Sequence, residues 1–245
     1  MAEKVLPKLI QKANAFCPGC GHGIVNRIIA EVLEEHGMED KTIMTVGVGC
    51  SWNINQSWGG DLMQTAHGRA GATATGVKAA RPDLLSITYQ GDGDAYVIGI
   101  AETLNAAYRN TPITVFVINN NNFAMTGGQM SWTTMPGQMT TTSPAGRNPK
   151  KTGFPMRVPE MIAGFEEIGY VARGSVHNAK EISNLKKYIN SAIEAQLAGE
   201  GYAMVEILAP CPTNWHKDVK ESMEWIENEV IPYFNLGELR GRSAK

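Results

Sequence analysis

Apolar residues at Ile24, Val25, Ile28, Ile29, Val32 and Leu33 recur at the intervals of a helix and stop near Gly37. The period then changes. Thr42 to Val48 is a short apolar run closed by Gly49-Cys50, and it predicts a strand. Residues 69–80, RAGATATGVKAA, predict a helix of small side chains able to pack closely on a sheet. Leu84 to Tyr89 predicts a second strand, cut off by Gly91-Asp92-Gly93-Asp94. A helix from about Ala95 to Tyr108 leads to a third strand, Ile113 to Ile118, which runs into the asparagines Asn119 to Asn122.

Residues 123–158 have no periodicity and are rich in Thr, Gly, Pro and Met. A loop of that length points to a site or an interface. Alternation then resumes: residues 159–168 predict a helix, Tyr170 to Arg173 an extended segment, and Ala179 to Leu197 a helix. Tyr202 to Leu208 predicts a strand, and Asp218 to Glu229 a final helix. Short apolar strands alternating with helices predict an α/β fold with a mostly parallel sheet and helices on both faces. No linker divides residues 1–245, so a single domain is expected, with a loose basic tail after Leu239 (RGRSAK).

The formal net charge of −2 gives no basic excess for nucleic acid. No apolar run is long enough to span a bilayer, and no signal-peptide pattern stands at the start, so a cytoplasmic location without membrane association is expected. Structural disulfides are uncommon in that compartment. The four cysteines therefore need another explanation.

In open parallel sheets, ligands bind outside the carboxyl ends of the strands. Three expected strands end in Gly49-Cys50-Ser51, Gly91-Asp92-Gly93-Asp94 and Asn119-Asn120, and the strand to Leu208 ends just before Cys211. All four ends can converge on one edge. An Asp between glycines can hold a hard cation while the glycines let a ligand approach the backbone. Asp92, the Asn120 amide oxygen and a backbone carbonyl would leave Mg²⁺ room for two phosphate oxygens and a water. The plainer alternative is a turn followed by an Asn-rich cap, and Asp94 can equally be the N-cap of the next helix.

Cys17-Pro18-Gly19-Cys20 precedes the first helix, whereas Cys50 and Cys211 are single residues at strand ends. Four thiolates suit a [4Fe–4S] cluster. Structural zinc usually draws on two close pairs, and free cysteines are often buried as small apolar groups. The spacing ranks cluster over zinc over unrelated thiols.

The order Gly91-Asp92-Gly93 then Asn119-Asn120 resembles the signature of thiamine-diphosphate enzymes. With FCPGCGHG (16–23), GVGCS (47–51), HGRA (67–70), NNNNFAMTGGQMSWTT (119–134) and CPTNW (211–215), the chain resembles the β subunit of the 2-oxoacid:ferredoxin oxidoreductases over nearly its whole length. The resemblance implies a pyrophosphate-binding thiamine-diphosphate fold. It also implies a cluster on Cys17, Cys20, Cys50 and Cys211, and Mg²⁺ held by Asp92, Asn120 and the Asn122 carbonyl. Gly49, Cys50, Ser51, His67, Gly93, Asp94, Ala124 and Met125 would contact the cofactor. HGRA further suggests anion contact at a helix start, with Arg69 a weaker candidate than His67. Phe123 stands where the family leads one to expect Tyr.

The activity so implied is CoA-dependent oxidative decarboxylation of a 2-oxoacid to acyl-CoA and CO₂, with electrons leaving through the cluster to ferredoxin. 2-Oxoglutarate is slightly favoured over branched-chain 2-oxoacids. The glutamate that activates thiamine normally sits on a second domain, for which one α/β domain has no room. A larger α subunit should supply it, with γ and ferredoxin-like δ subunits completing the assembly. The alternatives are a non-redox thiamine-diphosphate decarboxylase or carboligase subunit, and a four-cysteine electron-transfer module.

Overall fold

β-Branched and aromatic residues buried on both faces build the centre of the molecule, which in this computed structural model is described for residues 6–242. The strands are β1 (Thr42–Val46), β2 (Asp61–Gln64), β3 (Leu85–Gly91), β4 (Thr114–Asn119), β5 (Asn122–Phe123), β6 (Gln129–Met130), β7 (Tyr170–Ser175), β8 (Ala203–Leu208) and β9 (Gly237–Arg240). Seven of them form one sheet in the order β2-β1-β3-β4-β8-β7-β9. Every pairing in it is parallel except that of β9 with β7. The helices are α1 (His22–Glu35), α2 (Ala70–Ala80), α3 (Ile100–Tyr108), α4 (Pro149–Thr152), α5 (Val158–Ala163), α6 (Ala179–Leu197), α7 (Pro212–Trp215), α8 (Val219–Trp225) and α9 (Ile231–Tyr233).

Alternation along the strands divides the core between the faces. Phe116 and Ile118 pack with Ile29 and Leu33 of α1 and Ile189 and Ile193 of α6. Val115 and Val117 point the other way, toward Ala74 of α2, Ala106 of α3 and Ile162 of α5. This is the α/β architecture with helices on both faces that the alternation predicts. No helix among the described residues is long and apolar enough to cross a membrane.

Several boundaries differ from expectation for physical reasons. Strand β2 has no buried residue and so carries no burial pattern; it is an edge strand held by β1. The helix expected from Ala95 begins as a π-helical turn, Gly93–Ile98, before α3 takes over. The tail is not loose where it is described. Arg240 closes β9 and donates to the carbonyls of Phe165 (3.3 Å) and Glu166 (2.6 Å), and Arg242 forks onto the Glu200 carboxylate (2.9 Å to each oxygen). Residues 243–245 of that expectation lie outside the described residues.

The long 123–158 segment is folded. β5 and β6 make a short hairpin, and Met135 joins Leu208, Ile226, Val230 and Phe234 in a small core of its own. At its centre lies Arg147, buried, whose guanidinium donates to the carbonyls of Trp132 (3.0 Å), Thr134 (2.6 Å), Gly153 (3.1 Å) and Phe154 (3.2 Å). A buried charge survives only with its donors satisfied, so the segment wraps around this side chain.

Candidate active site at the carboxyl edge of the sheet

Parallel pairing brings the carboxyl ends of β1, β3, β4 and β8 to one edge, as the strand-end chemistry predicts. There, His22, Val48, Gly49, Cys50, Ser51, His67, Gly91 to Asp94, Asn120 and Asn122 to Thr126 surround one cleft. All eight residues expected to touch the cofactor line it, as do the three expected magnesium ligands.

Asp92 follows β3 and is buried. Its Oδ2 accepts from Ser131 Oγ (2.5 Å) and from Thr133 Oγ1. Burial pushes its carboxyl up to about 6, reinforced by the negative charge of Glu206 and opposed by the two hydroxyls. The hydroxyls occupy one oxygen and leave Oδ1 facing the asparagine turn. In one amide orientation Asn120 sets its oxygen 3.2 Å from Asp92 Oδ1 and 2.9 Å from the Asn122 carbonyl; turning the amide converts both contacts into hydrogen bonds. Three oxygens can thus face one another with no proton among them, and a cation relieves such crowding.

The turn is built from its own amides. Asn121 adopts a left-handed conformation (φ 59°), and its side chain ties Asn119 Oδ1 (3.1 Å) to the Thr133 carbonyl (3.0 Å). Asn119 in turn donates to the buried Glu206 (3.2 Å), whose charge Arg173 neutralises from β7. Trp215 Nε1 donates to the Asn120 carbonyl (3.0 Å).

Asp94 is not an N-cap. Its carboxylate is a buried hub: Oδ1 accepts from the Gly68 amide (2.8 Å), the Val48 amide (3.3 Å) and His67 Nδ1, and Oδ2 from Gln90 (2.6 Å). Gly47 is obligatory beside it, since a Cβ there would come within 2.0 Å of Asp94 Oδ2. With Nδ1 committed to Asp94, the Nε2 of His67 is the nitrogen left for a ligand. Arg69 has no place in the cleft; it is half-exposed and pairs with Glu102. Phe123 covers Gly93, where a Cβ would stand 2.4 Å from its ring, and meets His67 edge-on at 6.2 Å.

The four cysteines gather at the same end. All are free thiols, Cys17 exposed and Cys211 buried. Burial pushes Cys20 up to about 12, and the other three sulfurs push it further; Cys50 rises to about 11 by burial and by Cys211 and Cys17. Burial also raises Cys211, against hydrogen bonds from Asn214 and Asn122. Such thiols are poor nucleophiles. Among the described residues, no three His, Cys, Asp or Glu side chains are close enough together to hold one metal ion.

Sequence reasoning passed over Ser131, Thr133, Gln90, Arg147 and Glu206, the groups that aim or balance the carboxylates. Only the hydroxyl-rich SWTT after Gly127-Gly128 hinted at the first two.

Residues 44–207 match the family described as "Thiamine pyrophosphate enzyme, C-terminal TPP binding domain". A ketoisovalerate oxidoreductase subunit VorA of Methanothermobacter thermautotrophicus is 39% identical over 95% of this chain. The chain spans about half (49%) of that relative's length. A 2-oxoglutarate synthase subunit KorB of Archaeoglobus fulgidus is 35% identical over 84% of this chain and 72% of its own length. The solved 2-oxoglutarate:ferredoxin oxidoreductase from Magnetococcus marinus, with 2-oxoglutarate, coenzyme A and succinyl-CoA bound, aligns with a TM-score of 0.76 at 27% identity, over 99% of this chain and 87% of its own. The cleft geometry and these likenesses agree: the chain belongs to the thiamine-pyrophosphate-binding β-subunit family of the 2-oxoacid:ferredoxin oxidoreductases.

Proposed function

We propose that this chain is the cofactor-bearing subunit of an enzyme that oxidatively decarboxylates a 2-oxoacid with CoA and passes the electrons to ferredoxin. The observation that carries the reading is the meeting, at one sheet edge, of the buried Asp92 with its asparagine turn and four mutually interacting thiols. A non-redox thiamine enzyme has no use for the thiols, and a bare electron-transfer module has none for Asp92.

The residues present fit the implied groups. Asp92 Oδ1, the Asn120 amide oxygen and the Asn122 carbonyl would hold Mg²⁺, which prefers few protein oxygens plus phosphates. Gly49, Cys50, Ser51, Ala124 and Met125 would wall the thiamine site, with His67 beside them. Gly93 and Asp94 would meet the diphosphate through their main chain, because the Asp94 carboxylate is already spent on Gly68, Val48, His67 and Gln90. Phe123 lies over Gly93 at the mouth of this cleft, beside the residues that would meet the cofactor. Thiamine diphosphate supplies the group that adds to the 2-oxo carbon and accepts the electrons released with CO₂.

Cys17, Cys20, Cys50 and Cys211 would hold a [4Fe–4S] cluster. The four thiols lie near enough to raise one another's pKa, and four thiolates are the ligand set of such a cluster. Loading would strip the protons that burial holds on Cys20 and Cys50.

Among the described residues no glutamate lines the cleft, which supports a larger α subunit as donor of the activating carboxylate. The exposed Met125, Trp132, Met139 and Phe154 of the 123–158 segment offer that subunit an apolar surface. Separate γ and ferredoxin-like δ subunits, a single domain over residues 1–245 and a cytoplasmic location complete the proposal. Of the two substrate classes, branched-chain 2-oxoacids gain support from the lining: Val48, Phe123 and Met125 are apolar, and no Lys or Arg among the described residues lines this chain's side of the cleft.

The test is an anaerobic assay of the co-purified complex with CoA, a viologen acceptor and a panel of 2-oxoacids, beside iron and sulfide analysis. Substrate-dependent dye reduction with about four irons per cofactor subunit is expected. Iron-free protein that still decarboxylates would establish the non-redox alternative.

A further inference from the structure

The turn after β8 does more than present Cys211. Pro212 opens the short helix α7, and Asn214 lies within it. An Asn in such a turn would ordinarily cap it or face water. This one reaches back ninety residues along the chain. Its Nδ2 donates to the Ala124 carbonyl at 3.0 Å and to Cys211 Sγ at 3.4 Å. Gly128, in a left-handed conformation (φ +80°), closes against the same side chain, where a Cβ would stand 3.1 Å from Asn214 Oδ1. The segment Phe123–Gly128 that narrows the cofactor cleft therefore rests on a side chain that also holds a cluster sulfur.

We propose that Asn214 is a positioning residue that joins the two redox partners: one amide group sets the sulfur environment of the electron acceptor and anchors the loop beside the electron donor. The inference rests on the cluster reading above and names a residue for it. An N–H directed at a cluster sulfur stabilises the extra negative charge of the reduced state and raises the reduction potential. The second N–H fixes Ala124, which walls the thiamine site. A side chain that only filled space between α7 and the loop would leave the potential unchanged.

The experiment uses the anaerobically purified complex carrying Asn214→Ala or Asn214→Asp. The potential is read by an EPR-monitored redox titration and the loop by amide hydrogen exchange over residues 123–129. At equal iron content, the potential should fall from wild type to Ala and again to Asp, because Asp removes the donor and adds a charge. Exchange at 124–128 should quicken severalfold in both variants. Loaded variants with the wild-type potential would overturn the tuning role, and unchanged exchange would overturn the anchoring. If Asn214→Ala fails to assemble a cluster, the near-isosteric Asn214→Asp gives the same comparison, and exchange is read without any cluster. Wild-type complex that contains no iron would defeat the cluster reading itself, an outcome distinct from a loaded variant that does not shift.

Discussion

The two halves of the site are built on opposite plans. Around Asp92 the protein has already fixed the carboxylate and the turn that faces it. Two hydroxyls hold one carboxylate oxygen, Asn121 ties Asn119 to the Thr133 carbonyl, and Arg147 fixes the backbone that carries Ser131 and Thr133. Around the cysteines there is little of this. Cys211 has side-chain hydrogen bonds from Asn214 and Asn122, whereas Cys20 and Cys50 receive only backbone ones, and burial holds them protonated. The oxygen site is organised by the chain's own side chains; on the proposed reading the sulfur site would be completed by the cluster, whose binding energy would then add to folding.

The sharpest way to break this contrast is a reciprocal pair of substitutions. Cys50→Ser should remove most of the iron and abolish ferredoxin reduction while magnesium-dependent binding of thiamine diphosphate persists. Asp92→Ala should weaken that binding by about a hundredfold or more, as loss of a charged ligand does, with the cluster absorbance intact. Equilibrium dialysis with thiamine diphosphate and visible spectroscopy read both arms. Simultaneous loss of both groups in either variant would show one cooperative site rather than two.

Arg147 tests the same contrast at a distance from the ligands. Arg147→Ala leaves several buried carbonyls without donors, at about 1–3 kcal/mol for each group left unsatisfied and partly offset by entering water. A drop of about 2–4 kcal/mol in stability and about a tenfold loss of magnesium affinity are expected, with iron content unchanged. Chemical denaturation and a magnesium titration measure them. An unchanged magnesium affinity would mean that Ser131 and Thr133 hold their places without the Arg147 frame.

The contrast also explains what could be read from the chain alone. Strand ends and cysteines were legible because each carries an unusual residue at a position that the alternation of strands and helices already locates. The supports were not. Ser131 and Thr133 lie in a segment without periodicity, and Arg147 looks like any loop arginine until its carbonyl partners surround it. Glu206 sits mid-strand, where burial is paired with Arg173 by folding alone. Strand β2 and the bound tail were missed for the converse reason: edge elements with exposed side chains lack a pattern. Local periodicity finds the elements and the chemistry at their ends; the partners that tune that chemistry are set by contacts distant in sequence.

His22 gives the mildest test, at the boundary between the two plans. It follows the Cys17–Cys20 turn, lines the cleft and is buried, stacked on Phe16 at 4.8 Å with Nδ1 2.6 Å from the Tyr89 hydroxyl. Burial lowers its pKa from 6.5 to about 3, so the folded protein keeps it neutral. The unfolded chain takes up a proton below pH 6.5 that the folded chain refuses. The stabilising contribution is therefore full above pH 6.5 and is lost as the pH falls toward 3. At pH 5.5 the loss from this residue is on the order of 1 kcal/mol. Denaturation midpoints of the cluster-free protein at pH 7.5 and 5.5 should show it, and His22→Gln should flatten that part of the pH dependence. An equal slope in wild type and variant would show that His22 can accept a proton in place, through rearrangement of the Phe16–Tyr89 contacts or entry of water, and the cysteine side of the cleft would then be looser than its burial implies.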